Sequence, residues 1–261
     1  MTRRVTSARV GTASTSTDTL TADAATIRGL RDGELEVIGR LPGSSNQALV
    51  VLVHHPELDE PFHAVYKATV AERPLFDFPP GTLAHREVAA FLVSEALGWQ
   101  IVPPTVLREG PFGEGMVQQW IHADPAADVV GMIVGPKAPD ARLQRMAVFD
   151  AIVNNTDRKG GHLLPVPGGH VFGVDHGVTF STVPKLRTVL WGWADEALDA
   201  ELVAGIERVR DGISGELGAA LRALVARPEV TATRRRCVAL LKRGRFPIPG
   251  RNWPPVPYPL F

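Results

Sequence analysis

The most informative segment of the chain covers residues 146–180, where a helical apolar pattern is followed by a polar loop, a Gly-rich turn and a short apolar run. Two aspartates stand out in it. Asp157 lies in the stretch Asn-Asn-Thr-Asp-Arg-Lys-Gly-Gly-His, and Asp175 ends the run His-Val-Phe-Gly-Val just before His-Gly. Asn, Asp and Gly also build ordinary turns, so either aspartate alone fits simple turn chemistry. The pair, one in a loop and one after a short strand, indicates a site with two carboxylates.

Composition restricts the chain to an ordinary globular protein. Its 261 residues are 44% hydrophobic and 21% charged, enough for one large domain or two lobes. Lys and Arg total 28, as do Asp and Glu, so the overall charge indicates no particular partner. A single cysteine, Cys237, excludes an intrachain disulfide framework and favours a cytoplasmic location. No apolar run approaches the roughly 20 residues that a transmembrane helix needs.

Strand patterns dominate the chain up to residue 121. Five segments alternate or run apolar as strands do: residues 35–41, 48–53, 62–67, 101–106 and 115–121. We expect them to form one antiparallel sheet. The first turn, Pro-Gly-Ser-Ser-Asn, has small residues, including Ser44 and Ser45, that allow a phosphate to approach the backbone. Lys67 ends the third strand, a position where a lysine is usually just solvated.

One helix is predicted beside this sheet. Thr82 is expected to cap it, apolar residues recur at helical spacing, and Gly98 ends it. Glu87 lies one turn in, close to the apolar face, although a glutamate on such a helix is normally exposed. The strand patterns stop near residues 118–121, and we expect a hinge there, with a cleft between a β-rich lobe and a helical lobe.

Beyond the hinge the sequence predicts mainly helices. Helical patterns cover residues 141–153, 197–209, 212–225 and 231–241. The last helix and the residues after it are basic, with Arg234, Arg235, Arg236, Lys242, Arg243, Arg245 and Arg251 and no acidic residue from Val230 onward. This basic helix predicts either a solvated face or a surface for an acidic partner, namely phospholipid headgroups, nucleic acid or an acidic protein patch.

These patterns predict an α+β, two-lobed fold in four parts. They are a disordered leader at residues 1–30, a β-rich N-terminal lobe at 31–121, a helical C-terminal lobe at 122–245 and a proline-rich tail at 246–261. The leader is rich in Ser, Thr and Ala and lacks hydrophobic periodicity, which is typical of disorder. Its early arginines also fit a transit peptide. The tail is expected to be extended and to pack against the body through its aromatic residues.

Five features, taken in chain order, resemble a kinase fold. They are the Gly-Ser turn, the strand lysine, the helix glutamate, the Asp-Arg-Lys-Gly-Gly-His loop and the Asp-His-Gly turn. The resemblance is to the phosphatidylinositol 3-/4-kinase and HipA-type branch, and more specifically to an uncharacterised actinobacterial phosphatidylinositol-kinase-like family. It covers roughly residues 34–241. It implies ATP and Mg²⁺, with Mn²⁺ as an alternative ion, and a phosphate acceptor that is a lipid, a protein or a small molecule.

The resemblance implies a nucleotide site in the N-terminal lobe. Lys67 would hold the α- and β-phosphates, Glu87 would hold Lys67 in place, and Ser44 and Ser45 would lie over the phosphates. The hinge that contacts adenine would consist of Gln118, Gln119, Trp120 and Ile121.

The resemblance also implies roles for the central loop. Asp157 would be the catalytic aspartate that receives the acceptor proton, Lys159 would contact the transferred phosphate, and Asp175 would bind the metal. The sequence departs from kinases at His162, which stands where they carry a metal-binding asparagine. Imidazole is a poor ligand for Mg²⁺ and a better one for Mn²⁺, so this metal position is altered, lost or supplied by Asn155.

Three functions are consistent with these residues. The first is an ATP-dependent phosphotransferase, in which positioning and electrostatics lower the barrier. The second, motivated by His162, is a nucleotide-binding pseudokinase or a nucleotidyl transferase on the same scaffold. The third is an adaptor that binds nucleic acid or a membrane surface through the basic helix, with a steep salt dependence.

Overall fold

A computed structural model describes residues 24–42, 47–134 and 140–261. Within these ranges the helices are α1 (Ala24–Asp32), α2 (Leu83–Leu97), α3 (Val129–Val134), α4 (Ala141–Val153), α5 (Ala200–Gly212), α6 (Glu216–Arg222) and α7 (Arg227–Arg243). The strands are β1 (Glu34–Arg40), β2 (Leu49–His54), β3 (Phe62–Ala68), β4 (Thr105–Gly110), β5 (Gly113–Gln119), β6 (Leu163–Pro165) and β7 (Val171–Gly173). Single 3₁₀ turns lie at Thr69–Ala71 and Gly160–His162.

The N-terminal lobe is built on a five-stranded antiparallel sheet in the order β1-β2-β3-β5-β4. Alternate residues face the core, as the period of a strand requires. Val51 pairs with Ala64 and Tyr66 pairs with Val117, and all four side chains are fully buried. The predicted five-stranded antiparallel sheet is confirmed.

The last two strands are shifted from their predicted positions. We expected strands at 101–106 and 115–121, but β4 begins at Thr105 and β5 ends at Gln119. Pro103 and Pro104 precede Thr105, and because proline has no N–H donor, ladder pairing starts only after them.

Helix α1 corrects the last part, residues 24–30, of the predicted disordered leader. Ala24–Asp32 is helical, and Leu30 is fully buried in the core beneath the sheet with Val53 and Tyr66. Arg108 donates from Nη1 to the carbonyl oxygens of Leu30 and Gly33 at the end of the helix. This short helix is stabilised by contacts distant in sequence, which local periodicity does not reveal. Residues 1–23 lie outside the described part of the chain.

The N-terminus of α2 is capped by a residue that the sequence pattern did not indicate. Glu72 accepts hydrogen bonds from the backbone N–H groups of Leu83 and Ala84 at 3.1 and 2.8 Å. The expected cap, Thr82, instead donates its hydroxyl to the carbonyl oxygen of Pro79. A carboxylate there also interacts favourably with the positive end of the helix dipole.

Helix α2 lies between the sheet and the helical lobe and is tied to both. It packs against β4 and β5 on one side and against α5 and α6 on the other. Its fully buried Arg86 donates from Nη1 to Glu229 Oε1 of α7 at 2.8 Å and to the carbonyl oxygen of Thr179 at 2.7 Å. The helix is therefore held at a defined position over the segment that follows Asp175.

The helical lobe contains the larger core, to which α2, α4, α5 and α7 contribute. Helix α4 has the predicted bounds, while the helix predicted at 212–225 is shortened to α6. None of the described helices has the length and apolar character needed to span a membrane. The lobe and tail boundaries given above stay predictions.

The residues after α7 run along the body of the helical lobe. The carbonyl oxygen of Pro254 accepts from Arg187 Nε at 3.1 Å, and that of Pro255 accepts from the backbone N–H of Thr188 at 3.0 Å. Further on, the N–H of Gly160 donates to the carbonyl oxygen of Leu260 at 2.8 Å. The segment does pack against the body, but these contacts are made by backbone carbonyl oxygens rather than by aromatic side chains, and Tyr258 is 91% exposed.

Candidate active site

A cavity of about 340 Å³ opens between α2, the end of β3 and the loops that carry Asp157 and Asp175. We call it the interlobe cleft. Its walls include Lys67, Glu87, Asp157 and Asp175, four of the residues to which the sequence assigned a role. These residues come from four different parts of the chain, and the fold brings them to one crevice.

Lys67 is the centre of the charge arrangement in the cleft. Its Nζ donates to Glu87 Oε1 at 2.6 Å and to Asp175 Oδ1 at 2.8 Å. Glu87 is buried and its other oxygen, Oε2, accepts the backbone N–H of His176 at 2.8 Å. Glu87 therefore joins the strand lysine to the Asp-His-Gly turn, and it is not the exposed helix residue that the simplest interpretation expects.

Asp175 is half-exposed at the floor of the cleft, with 50% of its side chain accessible. Its backbone adopts φ 63°, a left-handed conformation that aspartate tolerates better than most residues. Oδ1 accepts from Lys67, and Oδ2 lies 3.6 Å from His162 Nε2. The carboxylate is thus held from two sides while one face stays open to the cavity.

The pKa values in the cleft follow from these contacts. Burial alone would lower the pKa of Lys67, but the charges of Asp175 and Glu87 outweigh it and raise the pKa above its ordinary value. The charge of Lys67 lowers the pKa of Asp175 well below its usual range. Burial lowers the pKa of His162, with the charge of Asp175 opposing the shift. At neutral pH the cleft therefore holds an ammonium, ionised Asp175 and a neutral imidazole.

Asp157 is held by its own loop. Its backbone N–H donates to Asn155 Oδ1 at 3.0 Å, and Oδ2 lies 3.2 Å from Lys159 Nζ. Asp157 lines the interlobe cleft, whereas Lys159 does not. Asn155 in turn donates from Nδ2 to Asp150 Oδ1 at 2.9 Å, which anchors the loop to α4.

A fully buried ion pair beneath this loop was missed by the sequence reasoning. Asp150 on α4 accepts from Arg158 Nη2 at 2.8 Å and Nε at 3.1 Å, and both side chains are 0% exposed. Thr188 Oγ1 also donates to Asp150, at 3.2 Å. The sequence does contain a feature that indicates a buried charge, because Asp150 interrupts the apolar run Met-Ala-Val-Phe-Asp-Ala-Ile-Val on a helix face that must be buried.

His176 connects this ion pair to the cleft. Its Nε2 lies 2.6 Å from Arg158 Nη2, and since an arginine only donates, Nε2 must accept and the proton resides on Nδ1. Nδ1 is buried, has no hydrogen-bond partner among the residues that the structure describes, and lies 4.0 Å from Glu87 Oε2. Burial, and next the charge of Arg158, lower the pKa of His176 well below its usual value. A neutral imidazole therefore occupies the middle of the Asp-His-Gly turn.

The predicted hinge residues do not line the described cleft. Gln118 is buried and donates from Nε2 to Thr105 Oγ1, while the backbone N–H groups of Gln119 and Trp120 donate to Pro104 and His63. Contact between Gln118, Gln119, Trp120 or Ile121 and a nucleotide stays a prediction. Ser44 and Ser45 lie outside the described residues, and their role stays a prediction too.

The basic helix is only partly a free cationic surface. Arg236 points inward and donates from Nε to the carbonyl oxygen of Ile152, and Arg243 pairs with Asp195 at 2.7 Å. Arg234 and Arg235 are exposed. An acidic partner for this helix stays a prediction.

A metal site is not preformed in the described part of the chain, where no three His, Cys, Asp or Glu side chains converge as ligands. Mg²⁺ does not require such a cage, because it is often bound by one or two carboxylates together with water and substrate phosphates. The open face of Asp175 fits that requirement. His162 fits it less well, because its Nδ1 accepts the backbone N–H of Lys159 at 3.4 Å, which leaves the proton on Nε2 facing Asp175.

No protein-family model matches the chain. The finer resemblance, to phosphatidylinositol 3-/4-kinases and HipA-type proteins, therefore stays a prediction. The crystal structure of the Helicobacter pylori proinflammatory kinase CtkA superposes with a TM-score of 0.52, covering 83% of this chain and 94% of that one at 9% sequence identity. At this identity the likeness concerns the fold alone, and it confirms the expected α+β, two-lobed, kinase-like fold.

A relative by sequence is known as well. Protein Rv2133c of Mycobacterium tuberculosis is 40% identical over a 264-residue alignment that covers 89% of this chain and 94% of the relative. With such identity over nearly the whole length of both proteins, the chain belongs to the same family as Mycobacterium tuberculosis protein Rv2133c.

Proposed function

We propose that this protein is an ATP-dependent phosphotransferase whose site is the interlobe cleft. The observation that carries the proposal is the position of Lys67, bonded at once to Glu87 of α2 and to Asp175 after β7. Kinases use a strand lysine, a helix glutamate and a metal-binding aspartate in this relation to bind the phosphates of ATP. The kinase-like fold supports the same interpretation.

In this proposal Lys67 donates to the α- and β-phosphates while Glu87 keeps its ammonium in place. Glu87 is itself fixed by the N–H of His176, and α2 is fixed by the bond between Arg86 and Glu229. Positioning of this kind accounts for much of the rate enhancement in phosphoryl transfer. The lysine would therefore meet the nucleotide with little rearrangement.

Asp175 would hold Mg²⁺, with Mn²⁺ as an alternative. The ion, when bound, neutralises the charge that develops between the β- and γ-phosphates. The carboxylate of Asp175 is ionised at neutral pH and open to the cavity, as an oxygen ligand of a metal ion must be. We assign His162 to orienting Asp175 through its Nε2 proton, rather than to direct coordination of Mg²⁺.

Asp157 would orient the acceptor hydroxyl and receive its proton. The acceptor oxygen then bonds to the γ-phosphorus, the bond from that phosphorus to the β,γ-bridging oxygen breaks, and ADP leaves with that oxygen. Lys159, 3.2 Å from Asp157, would contact the transferred phosphoryl group. Lipid, protein and small-molecule acceptors are all compatible with these residues.

The test separates nucleotide binding from transfer. Binding of ATP with Mg²⁺ or Mn²⁺ is measured by calorimetry, and release of ADP by a coupled assay. We expect Lys67→Met to weaken binding at least about tenfold, whereas Asp157→Asn keeps the affinity and lowers turnover by about 100-fold or more. Lys242→Met, a change at an exposed lysine on α7, is the matched control and should alter neither.

Each alternative function gives a different outcome. ATP binding without ADP release, with either metal, would indicate the pseudokinase, and release of pyrophosphate would indicate nucleotidyl transfer. If the wild-type protein does not bind ATP at millimolar concentration with either ion, the proposed function is wrong.

A further inference from the structure

A second cavity of about 340 Å³ lies on the helical lobe and shares no lining residue with the interlobe cleft. We call it the α7 pocket. Its walls come from α7, the end of α4, residues 184–191 and residues 247–253. Its size is at the lower end of the range of small-molecule sites, which favours a ligand of modest size.

The inner surface of the α7 pocket is largely apolar. Leu240, Trp191, Ile248 and Trp253 contribute to it. Ile248 and Trp253 remain 53% and 37% exposed, so apolar surface is available to a ligand. An alkyl chain or an aromatic ring placed there would be removed from water, which favours binding in proportion to the area buried.

The charged residues that line the pocket are all cationic, namely Lys185, Arg236, Arg243 and Arg251. Two of them are neutralised nearby, since Lys185 pairs with Asp77 and Arg243 pairs with Asp195. Within the described residues, neither Arg236 nor Arg251 lies within ion-pair distance of a carboxylate. The pocket therefore has two arginines that form no direct ion pair with a described carboxylate.

Of Arg236 and Arg251, Arg236 is the stronger candidate for binding an anion, because its guanidinium is largely removed from water. Burial lowers the pKa of Arg236 to about 10, and the negative charge of Glu229 partly opposes this shift. Among the described residues, its side chain donates to the carbonyl oxygens of Ile152 and Ser181 and to the hydroxyl of Thr233. A guanidinium has five N–H groups, so donors remain for an anion.

We propose that the α7 pocket binds a small amphipathic anion, an alkyl or aryl carboxylate or phosphate. Its apolar part would lie against Trp191 and Trp253, and its anionic head would lie near Arg236 and Arg251. This chemistry is shared by free fatty acids and by the acyl chains and headgroups of anionic lipids. The proposal does not depend on the function assigned to the interlobe cleft.

Such a ligand would also join two segments of the chain. One wall contains Pro184 and Trp191, from the segment after Asp175, and another consists of residues 247–253. Trp191 already donates from Nε1 to the carbonyl oxygen of Pro255 at 3.0 Å. A ligand between these walls should therefore protect the residues after α7 from proteolysis.

The test uses the full chain and probes of matched length. Decanoate and decyl phosphate, below their critical micelle concentrations, carry the anionic head, whereas decanol carries none. Binding is followed by isothermal titration calorimetry, because its signal does not depend on the number of tryptophans in a variant. We expect one saturable site for both anions, with decanol at least about tenfold weaker.

Two variants locate the site independently. Ala239→Trp places an indole in the pocket from a solvent-exposed position on α7, and Arg251→Glu reverses an exposed cation. Each should weaken decanoate binding at least about tenfold. Arg235→Glu changes an exposed arginine of α7 that does not line the pocket, and it should leave the affinity within about twofold.

Vesicles distinguish the two sources of the anion. Binding to phosphatidylglycerol vesicles but not to phosphatidylcholine vesicles, abolished by Ala239→Trp, would identify a lipid of the membrane surface. Binding of decanoate monomers without vesicle binding would identify a free carboxylate. Equal affinity for decanol and decanoate, no binding of either anion, or wild-type affinity in Ala239→Trp would overturn the proposal.

Discussion

The buried ion pair between Asp150 and Arg158 offers a quantitative test of how the Asp157 loop is held. In the variant Asp150→Ala, Arg158 keeps its bonds to the carbonyl oxygen of Val174 and to His176, but it loses its only neutralising partner among the described residues. Both side chains are 0% exposed, so water cannot replace the carboxylate without local opening. The variant therefore leaves a buried, uncompensated cation.

The size of the effect follows from this burial. Removing one partner of a fully buried ion pair costs about 3–5 kcal/mol, because the remaining charge stays desolvated. Asn155 and Thr188 also lose an acceptor, which adds to the cost. We expect Asp150→Ala to lower the free energy of unfolding by about 4 kcal/mol, a large share of the roughly 5–15 kcal/mol typical of a whole domain.

Urea unfolding followed by circular dichroism measures this difference. The matched control is Glu201→Ala, which removes the partner of Arg145 from a solvent-accessible ion pair and should cost less than about 1 kcal/mol. The double variant with Asp150→Leu and Arg158→Met removes both charges and should recover at least about half of the loss. A cost below about 1 kcal/mol for Asp150→Ala would refute the reasoning.

Two further results are expected. Burial and the charge of Arg158 lower the pKa of His176 in the folded protein. As the pH falls below the ordinary pKa of 6.5, the imidazole of His176 is therefore protonated in the unfolded chain before it is protonated in the folded protein. The contribution of His176 to the free energy of unfolding is present above pH 6.5 and is lost as the pH falls towards the lower pKa of the folded state. Unfolding free energies measured from pH 7.5 to pH 5 should therefore fall less steeply in His176→Gln than in wild type, and parallel curves would contradict this. Arg187→Ala removes two hydrogen bonds to the carbonyl oxygens of Pro254 and Val256, so limited proteolysis should cut residues 250–261 several times faster; an unchanged rate would show that these bonds do not hold the segment.

Local sequence signals were sufficient to predict helices α4 and α2, which position residues of the candidate site. Helix α4 has the predicted bounds because Asp140 accepts the N–H groups of its first turn and Asn154 ends it in a left-handed conformation. Helix α2 ends at the expected glycine, Gly98, for the same kind of reason. Asp175 was identified because it ends a short apolar run, and Asp157 because it lies in a loop too polar to belong to the core.

Contacts between separate segments of the chain could not be predicted from the sequence pattern in the same way. The Ser/Thr-rich start of the chain gave no reason to expect α1, whose Leu30 is buried against the sheet. Thr82 is a residue type that often caps helices, but the acceptor is supplied by Glu72, which precedes Leu83 by 11 positions and lies outside the helix. Neither outcome can be derived from a window of neighbouring residues, because each depends on how separate segments meet.

The amino-acid sequence alone was sufficient to predict the five strands of the sheet, helix α2, the helices from α4 onward and the two-lobed class of the fold. It was also sufficient to select Lys67, Glu87, Asp157 and Asp175 as candidate site residues. The hydrogen bonds of Lys67 to both Glu87 and Asp175, the latter 108 positions away along the chain, became apparent only in the folded structure. Periodicity and capping act within a few residues and can be recognised locally. The charge balance of a buried site is a property of the folded chain, since it depends on which distant groups share one low-dielectric volume.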